Sequence, residues 1–358
     1  MRNLPALRIG DLTIDPPIIQ GGMGVRVSKA NLAAAVANEG CAGIIASVGL
    51  GGYEHSTGNG VDLSKMTCSA LREEIRKARR MSDGVIGVNA MVALSDYESL
   101  VRVSAEENVD MVISGAGLPL HLPEFTAGTN VKLVPIVSSA RSLKIICKKW
   151  MKDFNRYPDA VVVEGVKAGG HLGYSLEQIQ QNSPTLEEIL ADVLEFTRSL
   201  PVPMPVIAAG GIFDGKDIAH FLELGASGVQ MATRFVCTEE CDADIRFKES
   251  YINAGPDDIT IIKSPVGLPG RVIKNAFVEK VKTGYRVPFR CKYHCLRTCD
   301  PSTAPYCIAE VLAKASDGDM ENSFAFAGSN AWRCTEIVTV KQLVADIISE
   351  YNSAADSR

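Results

Sequence analysis

Short apolar runs alternate with amphipathic stretches through most of the chain. The runs are PPIIQ, AGIIAS, VIGVNAMV, MVISGAG, KLVPIVSS, AVVVEG, PVIAAGG and GVQMATRF. Each is continuously apolar, as a strand covered on both faces must be. Helical periodicity fills the gaps. Ser28 is placed to cap a helix running through Ala37, with Gly40 as its stop. Thr185 precedes TLEEILADVLEFTRSL, and Glu188 three residues on completes a capping box. Asp214 precedes KDIAHFLEL, which stops at Gly225.

Eight strands separated by helices predict an α/β fold, a parallel (β/α)8 TIM barrel, with a doubly wound open sheet as the alternative. The strand count favours the barrel. So does the span to about residue 255, and so do the Gly, Asn, His and Glu that follow the strands, where a barrel carries its active site. The connection from Gly165 to Pro184 is expected to be a long glycine loop, and it contains KAGGHLGYS. From about residue 256 the pattern becomes loop-rich, through SPVGLPGR, a cysteine segment and FAFAGSNAWR, before a last helix from about Val340 to Tyr351. The expected organisation is a barrel over 1–255 and a C-terminal cap over 256–358.

Composition sets limits on this picture. At 46% hydrophobic and 22% charged, the chain is globular. A net charge of −5 argues against nucleic acid as a partner. No apolar run reaches membrane length, and MRNLPALRIGDLTID has no signal-peptide core, so a cytoplasmic protein is expected. The same stretch of sequence that follows the barrel is basic: between Lys263 and Arg297 lie nine Lys or Arg and one acid, Glu279. Such a run reads as a solvated face, as compensation of a buried anionic centre, or as a dock for an acidic carrier protein.

Candidate chemistry collects at the strand ends. Gly210 and Gly211 follow the seventh strand, and Gln230, Met231 and Thr233 end the eighth, where barrels often bind phosphate through backbone amides. A tight turn is the plain reading of the Gly–Gly pair. Gly22 and Met23, in QGGMG after the first strand, leave room for backbone donors to meet a flat ring. Asn89 lies on the third strand, and an amide on an apolar strand needs a partner. Glu164 ends the sixth strand and points at the same mouth, to bind a cofactor or to pair with a lysine. His171, beside Gly170 in AGGHLG, is the candidate acid/base. His220 fits a helix surface, His55 and His121 fall in loops, and His294 lies among the cysteines.

Cys291, Cys295, Cys299 and Cys307 stand within seventeen residues. Four thiols there can bind an iron–sulfur cluster, bind zinc, or stay free; CxxxC spacing favours the cluster over the CxxC pairs of zinc sites. The other six cysteines read as small buried residues.

Taken together, QGGMG, GVNA, VVVEGVKAGGHLG, AAGGI and GASGVQMATRF resemble the nitronate monooxygenase / flavin-dependent enoyl-ACP reductase family, over about the first 275 residues. The resemblance implies an FMN-binding TIM barrel. FMN would be held by the backbone at Gly22 and Met23, by Asn89 and Glu164, and by a phosphate site around Gly210, Gly211, Gln230 and Thr233; His171 would be the catalytic acid/base. The cysteine segment, with ISGAGLP, IVSSA, IKSPVG and FAFAGSN, is similar to the iron–sulfur acyl-ACP dehydrogenase/isomerase branch, which carries a [4Fe–4S] cluster beside FMN. One departure is the gap of seven residues between Cys299 and Cys307, shorter than in that branch. The implied activity is flavin-dependent oxidation of an acyl thioester, free or on acyl carrier protein, with a homodimer left open. Rival readings are nitronate oxidation with O2, enoyl-ACP reduction with a nicotinamide donor, and a non-enzymatic metal- or redox-sensing barrel.

Overall fold

The computed structural model describes residues 4–51, 63–181, 183–291 and 294–356. Each of the eight apolar runs is a strand: Ile18–Gln20, Gly43–Ala46, Ile86–Met91, Met111–Gly115, Lys132–Val137, Val161–Glu164, Val206–Ala209 and Gly228–Met231. They form one parallel sheet in which the first strand pairs with the eighth and the rest follow in descending order to the second. A parallel bridge between Ile19 and Ala42 joins the first strand to the second, so the sheet curls into a barrel.

Period-two alternation sorts the strand residues. Ile19, Ile44, Met111, Ile113, Val134, Val162 and Ile207 fill the barrel, while Ile18, Ile45, Val112, Val161, Val163 and Val206 face the helices. Each side chain so buried is worth about 1.5–3 kcal/mol. An antiparallel hairpin, Leu7–Ile9 with Leu12–Ile14, stops the end where the strands begin, adding Leu7, Ile9 and Ile14 to the interior cluster. Its short strands escaped the sequence reading.

The helix caps follow local chemistry in two cases of three. Thr185 Oγ1 accepts from the Glu188 amide at 3.2 Å, and Glu188 Oε2 accepts from the Thr185 amide at 2.7 Å. Asp214 and Asp217 make the same reciprocal pair. Ser28 does not cap: the helix runs Ala30–Asn38, and the Ser28 hydroxyl instead accepts from the Met23 amide at 2.8 Å. A tertiary demand at the first strand's loop took the side chain from the helix end.

Beyond the barrel, Phe277, Tyr306 and Phe324 pack with ring centroids 5.5–6.1 Å apart and anchor a separate hydrophobic cluster. The last helix, Val340–Asp356, outruns its expected end at Tyr351 and lies against the helix Gly215–Glu223; Glu350 accepts there from the Gly215 amide at 2.9 Å. Among the described residues, no helix is long and apolar enough to cross a membrane.

Candidate active site

A cavity of about 680 Å3 opens at the C-terminal ends of the barrel strands, and every strand or the loop after it contributes to its wall. Inward parity explains which side chains reach it. In the third strand, Gly87 lies inside, where an added Cβ would come within 2.7 Å of Ile44 and 2.6 Å of Met111. Two residues further, Asn89 therefore points into the mouth. By the same step Val162 leads to Glu164, and Gly228 leads to Gln230. Glu164 and Gln230 each stand opposite Ala209 in register, so they are level.

The glycines shape this mouth. A Cβ on Gly22 would run into Asn89, and one on Gly210 would lie 2.7 Å from the Gly165 carbonyl oxygen. Gly210 and Gly211 hold φ of 95° and 96°, a region costly for other residues. Gly211's carbonyl accepts from Asn330 at 2.6 Å. Met23 lines the cavity, but its amide is engaged by Ser28 and is not available to a ligand. Met231 is buried, and its carbonyl accepts from Gly21 at 2.8 Å. Thr233 opens the short helix Thr233–Val236 at the rim.

Two buried polar atoms here have no partner among the described residues: Gln230 Oε1 and Ser329 Oγ. Leaving such an atom unpaired costs about 1–3 kcal/mol, so each calls for a hydrogen-bonding ligand. Glu164 is also desolvated, and burial pushes its carboxyl up to about 7.

His171 belongs to no mobile loop. It sits on the two-residue strand Gly170–His171, paired antiparallel with Pro269–Ile273 beside the strand Ile259–Lys263. The connection expected to be structureless also contains the helix Leu176–Gln181. Its partner strand lies about a hundred residues on, which no local window reveals. Arg271 secures the arrangement from below, donating to the Val166 carbonyl at 2.6 Å and to the Ala168 carbonyl. One of the nine cations of the basic run is thus an internal clamp.

His171 Nε2 and Ser264 Oγ are 2.7 Å apart, and the imidazole meets the edge of Phe326 at 4.8 Å between centroids. Nδ1 has no partner among the described residues. Burial pushes the imidazole down to about 4, so it is neutral, and a proton acceptor, at neutral pH. Ser264, Phe326, Ser329 and Asn330 were not singled out from the sequence. Their only signal was membership in the SPVGLPGR and FAFAGSN segments, to which composition assigned no chemistry. Of the other histidines, His121 pairs with Glu124 and His220 with Glu187, both at 3.1 Å on the surface; His55 lies outside the described residues.

The cysteine segment borders the same cavity through Cys295, Leu296 and Thr298. It is sewn to the loop after the third strand: Ser95 donates to the Cys295 carbonyl at 3.1 Å and Arg297 to the Ala93 carbonyl at 2.9 Å. Cys307 starts the helix Ile308–Ser316. Burial, then the neighbouring Cys307, Cys291 and Cys299, pushes the Cys295 thiol up to about 12. Cys295 is thus within electrostatic reach of the other three. Among the described residues, however, no group of three or more His, Cys, Asp or Glu is arranged to hold a metal ion.

A family model described as nitronate monooxygenase matches residues 6–100 and 91–350. A "(3aS,4S,5R,7aS)-5-hydroxy-7a-methyl-1-oxo-octahydro-1H-indene-4-carboxyl-CoA dehydrogenase" of Mycobacterium tuberculosis is 30% identical over 273 residues, 76% of this chain and 67% of that protein. A probable nitronate monooxygenase of Staphylococcus aureus is 28% identical, across 75% of this chain and 78% of that one. Among solved structures, FabK from Thermotoga maritima superposes with a TM-score of 0.72 at 30% identity, covering 95% of this chain and 94% of its own. A nitroalkane oxidase from Streptomyces ansochromogenes shares the fold, with a TM-score of 0.74 at 22% identity over 95% of this chain and 97% of its own. The chain belongs to the nitronate monooxygenase family and is a flavin-type oxidoreductase.

Proposed function

We propose that the protein is an FMN-dependent oxidoreductase acting on acyl thioesters, with His171 as its acid/base. One observation carries the reading: a neutral imidazole, pinned through Nε2 to Ser264, shares a glycine-lined cavity with the unpaired Gln230 Oε1. The cradle suits a flat, polar-edged ring. Gly22, Asn89, Glu164 and Gln230 would hold that ring. Gly210, Gly211 and Thr233 would hold its phosphate, with Gly170 and Met231 in the wall. When bound, FMN supplies a two-electron acceptor for a hydride.

The chain's own part is proton chemistry. With Nε2 held by Ser264, Nδ1 takes the proton from the carbon next to the thioester carbonyl. Once that proton has passed to solvent, the same nitrogen can take a proton from the γ-carbon of the enoyl product and return it to the α-carbon, which moves the double bond without a second acid. Phe326 fixes the ring plane. The relative named as a carboxyl-CoA dehydrogenase supports a thioester substrate, as does the basic run for an acidic carrier.

We assign [4Fe–4S] ligation to Cys291, Cys295, Cys299 and Cys307 on the donor set alone, the described residues being gathered into no metal site as they stand. The barrel, 1–255, would then bind flavin, and the cap, 256–358, would carry the cluster. Anaerobic purification followed by iron and acid-labile sulfide analysis tests this; protein with neither, after reconstitution, rejects it.

Nitronate oxidation is the second reading, favoured by the family match. The role of His171 as base is unchanged there. Presenting the flavin-loaded enzyme with a saturated acyl thioester, an enoyl thioester with NADH, and an alkyl nitronate under O2 separates the readings. The thioester reading predicts flavin bleaching and an unsaturated product with the first substrate. Turnover of the nitronate alone would replace it.

A further inference from the structure

A second cavity, of about 390 Å3, lies beyond the barrel and shares no lining residue with the first. It opens between the strand Ile259–Lys263, the helix Ala276–Lys282 and the segment Pro305–Tyr306. The reaction proposed above makes no use of it. Its floor is aromatic, made by the buried Phe277, Tyr306 and Phe324, with Ile262 and Val281 in the walls.

The rest of the lining is cationic. Lys263, Lys282 and Arg286 line the cavity and are exposed to solvent. Lys263 has no acidic partner among the described residues. Arg286 donates to carbonyls, at 2.8 Å to Thr303 and at 3.4 Å to Ser302 and Ala304, and it too meets no carboxylate among the described residues. Lys282 pairs with Glu279 at 3.1 Å. Three cations thus face one carboxylate above an apolar floor. Such a site selects an amphiphile with an anionic head and an apolar tail. A guanidinium favours a planar head group such as a carboxylate.

Both the floor and the charged wall lead to His171. Lys263 is followed by Ser264, whose Oγ lies 2.7 Å from His171 Nε2. Phe324 meets Phe326 at 5.5 Å between centroids, and Phe326 meets His171 at 4.8 Å. The hydroxyl and the aromatic edge that touch the imidazole therefore both begin at the walls of the second cavity.

We propose that this cavity is a regulatory site for a fatty carboxylate, whose chain packs on Phe277, Tyr306 and Phe324 while its head group meets Lys263, Lys282 and Arg286. An occupant braces Ser264 and Phe326 against His171. It therefore raises kcat and leaves KM and flavin content unchanged. Binding is independent of which substrate the enzyme turns over; the rate effect rests on the role given above to His171.

The test titrates full-length, flavin-loaded protein with decanoate by isothermal calorimetry. One saturable site is expected, and decylammonium, the same chain with the opposite charge, should bind at least about tenfold more weakly. Val281→Trp fills the cavity and should abolish binding. If that variant does not fold, Lys282→Glu on the exposed face should still weaken decanoate about tenfold. Saturating decanoate should raise kcat about twofold in wild type, and Lys282→Glu should need about tenfold more of it for the same rise. Absence of saturable binding overturns the proposal, as does equal binding of decylammonium, or binding that both variants leave intact. An effect on KM alone also overturns it, since decanoate would then be competing in the catalytic cavity. Decanoate binding as expected, with no acyl thioester turned over, would remove the substrate reading and still support this site.

Discussion

The two walls of the cavity are built from opposite materials. The barrel side presents glycines and backbone, with Asn89, Glu164 and Gln230 as the polar groups of its strand ends. The side contributed by residues after the barrel presents side chains: Phe326, Ser329 and Asn330 in the wall, and Ser264 held against His171. His171 is a barrel-loop residue, yet its strand partner, hydroxyl and aromatic neighbour all come from the far side. The lesson is a division of labour. One wall supplies shape for a flat ligand, and the other aims the base.

That contrast breaks most sharply at His171. His171→Ala should cut turnover by about 10^2–10^4-fold while flavin content per chain stays unchanged. Loss of flavin along with activity would show that the walls are not separable. In the wild type, kcat/KM should fall as pH drops through about 4, and not near the ordinary 6.5 of histidine, because burial disfavours the charged ring.

On the barrel wall the reverse pattern is expected. Gly22→Ala forces a Cβ into Asn89 and should weaken flavin retention by about tenfold, worth about 1.4 kcal/mol. Circular dichroism should remain native; gel filtration with absorbance at the flavin band reads the loss. Retention equal to wild type would remove Gly22 from the cradle.

Ser264→Ala removes a single hydrogen bond from His171, worth about 1 kcal/mol, so activity should fall about fivefold with flavin content constant. An unchanged rate and pH profile would mean that Ser264 does not aim the ring.

A further effect, opposed between two groups, is in stability. Glu164 is raised from 4.5 to about 7, so the folded chain binds more protons than the unfolded one between those values, and stability falls as pH rises across the window. His171 is lowered from 6.5 to about 4, so its contribution runs the other way: stability is lost as pH falls from about 6.5 towards 4. The two oppose each other between about 4.5 and 6.5. In flavin-free protein, Glu164→Gln should remove the decline towards pH 7, and His171→Ala should remove the decline towards pH 4. Thermal denaturation across pH checks both. Parallel curves for wild type and Glu164→Gln would mean that the carboxyl is not desolvated.

Much of this molecule was legible before it folded. The eight barrel strands and the Thr185 and Asp214 caps follow from continuous apolar runs, from period-3.6 patterning between them and from side chains that bond three residues away, all within one short window. The mouth residues Gly22, Asn89, Glu164, Gly210, Gly211, Gln230 and Thr233 share one cavity for the same reason, since strand ends are where a barrel opens. Contacts between distant segments belonged to the tertiary structure alone. Ser28 left its helix for Met23, and His171 acquired Ser264 from 93 residues on. Such pairs depend on where loops close and how surfaces pack, and neither leaves a periodic trace in the chain.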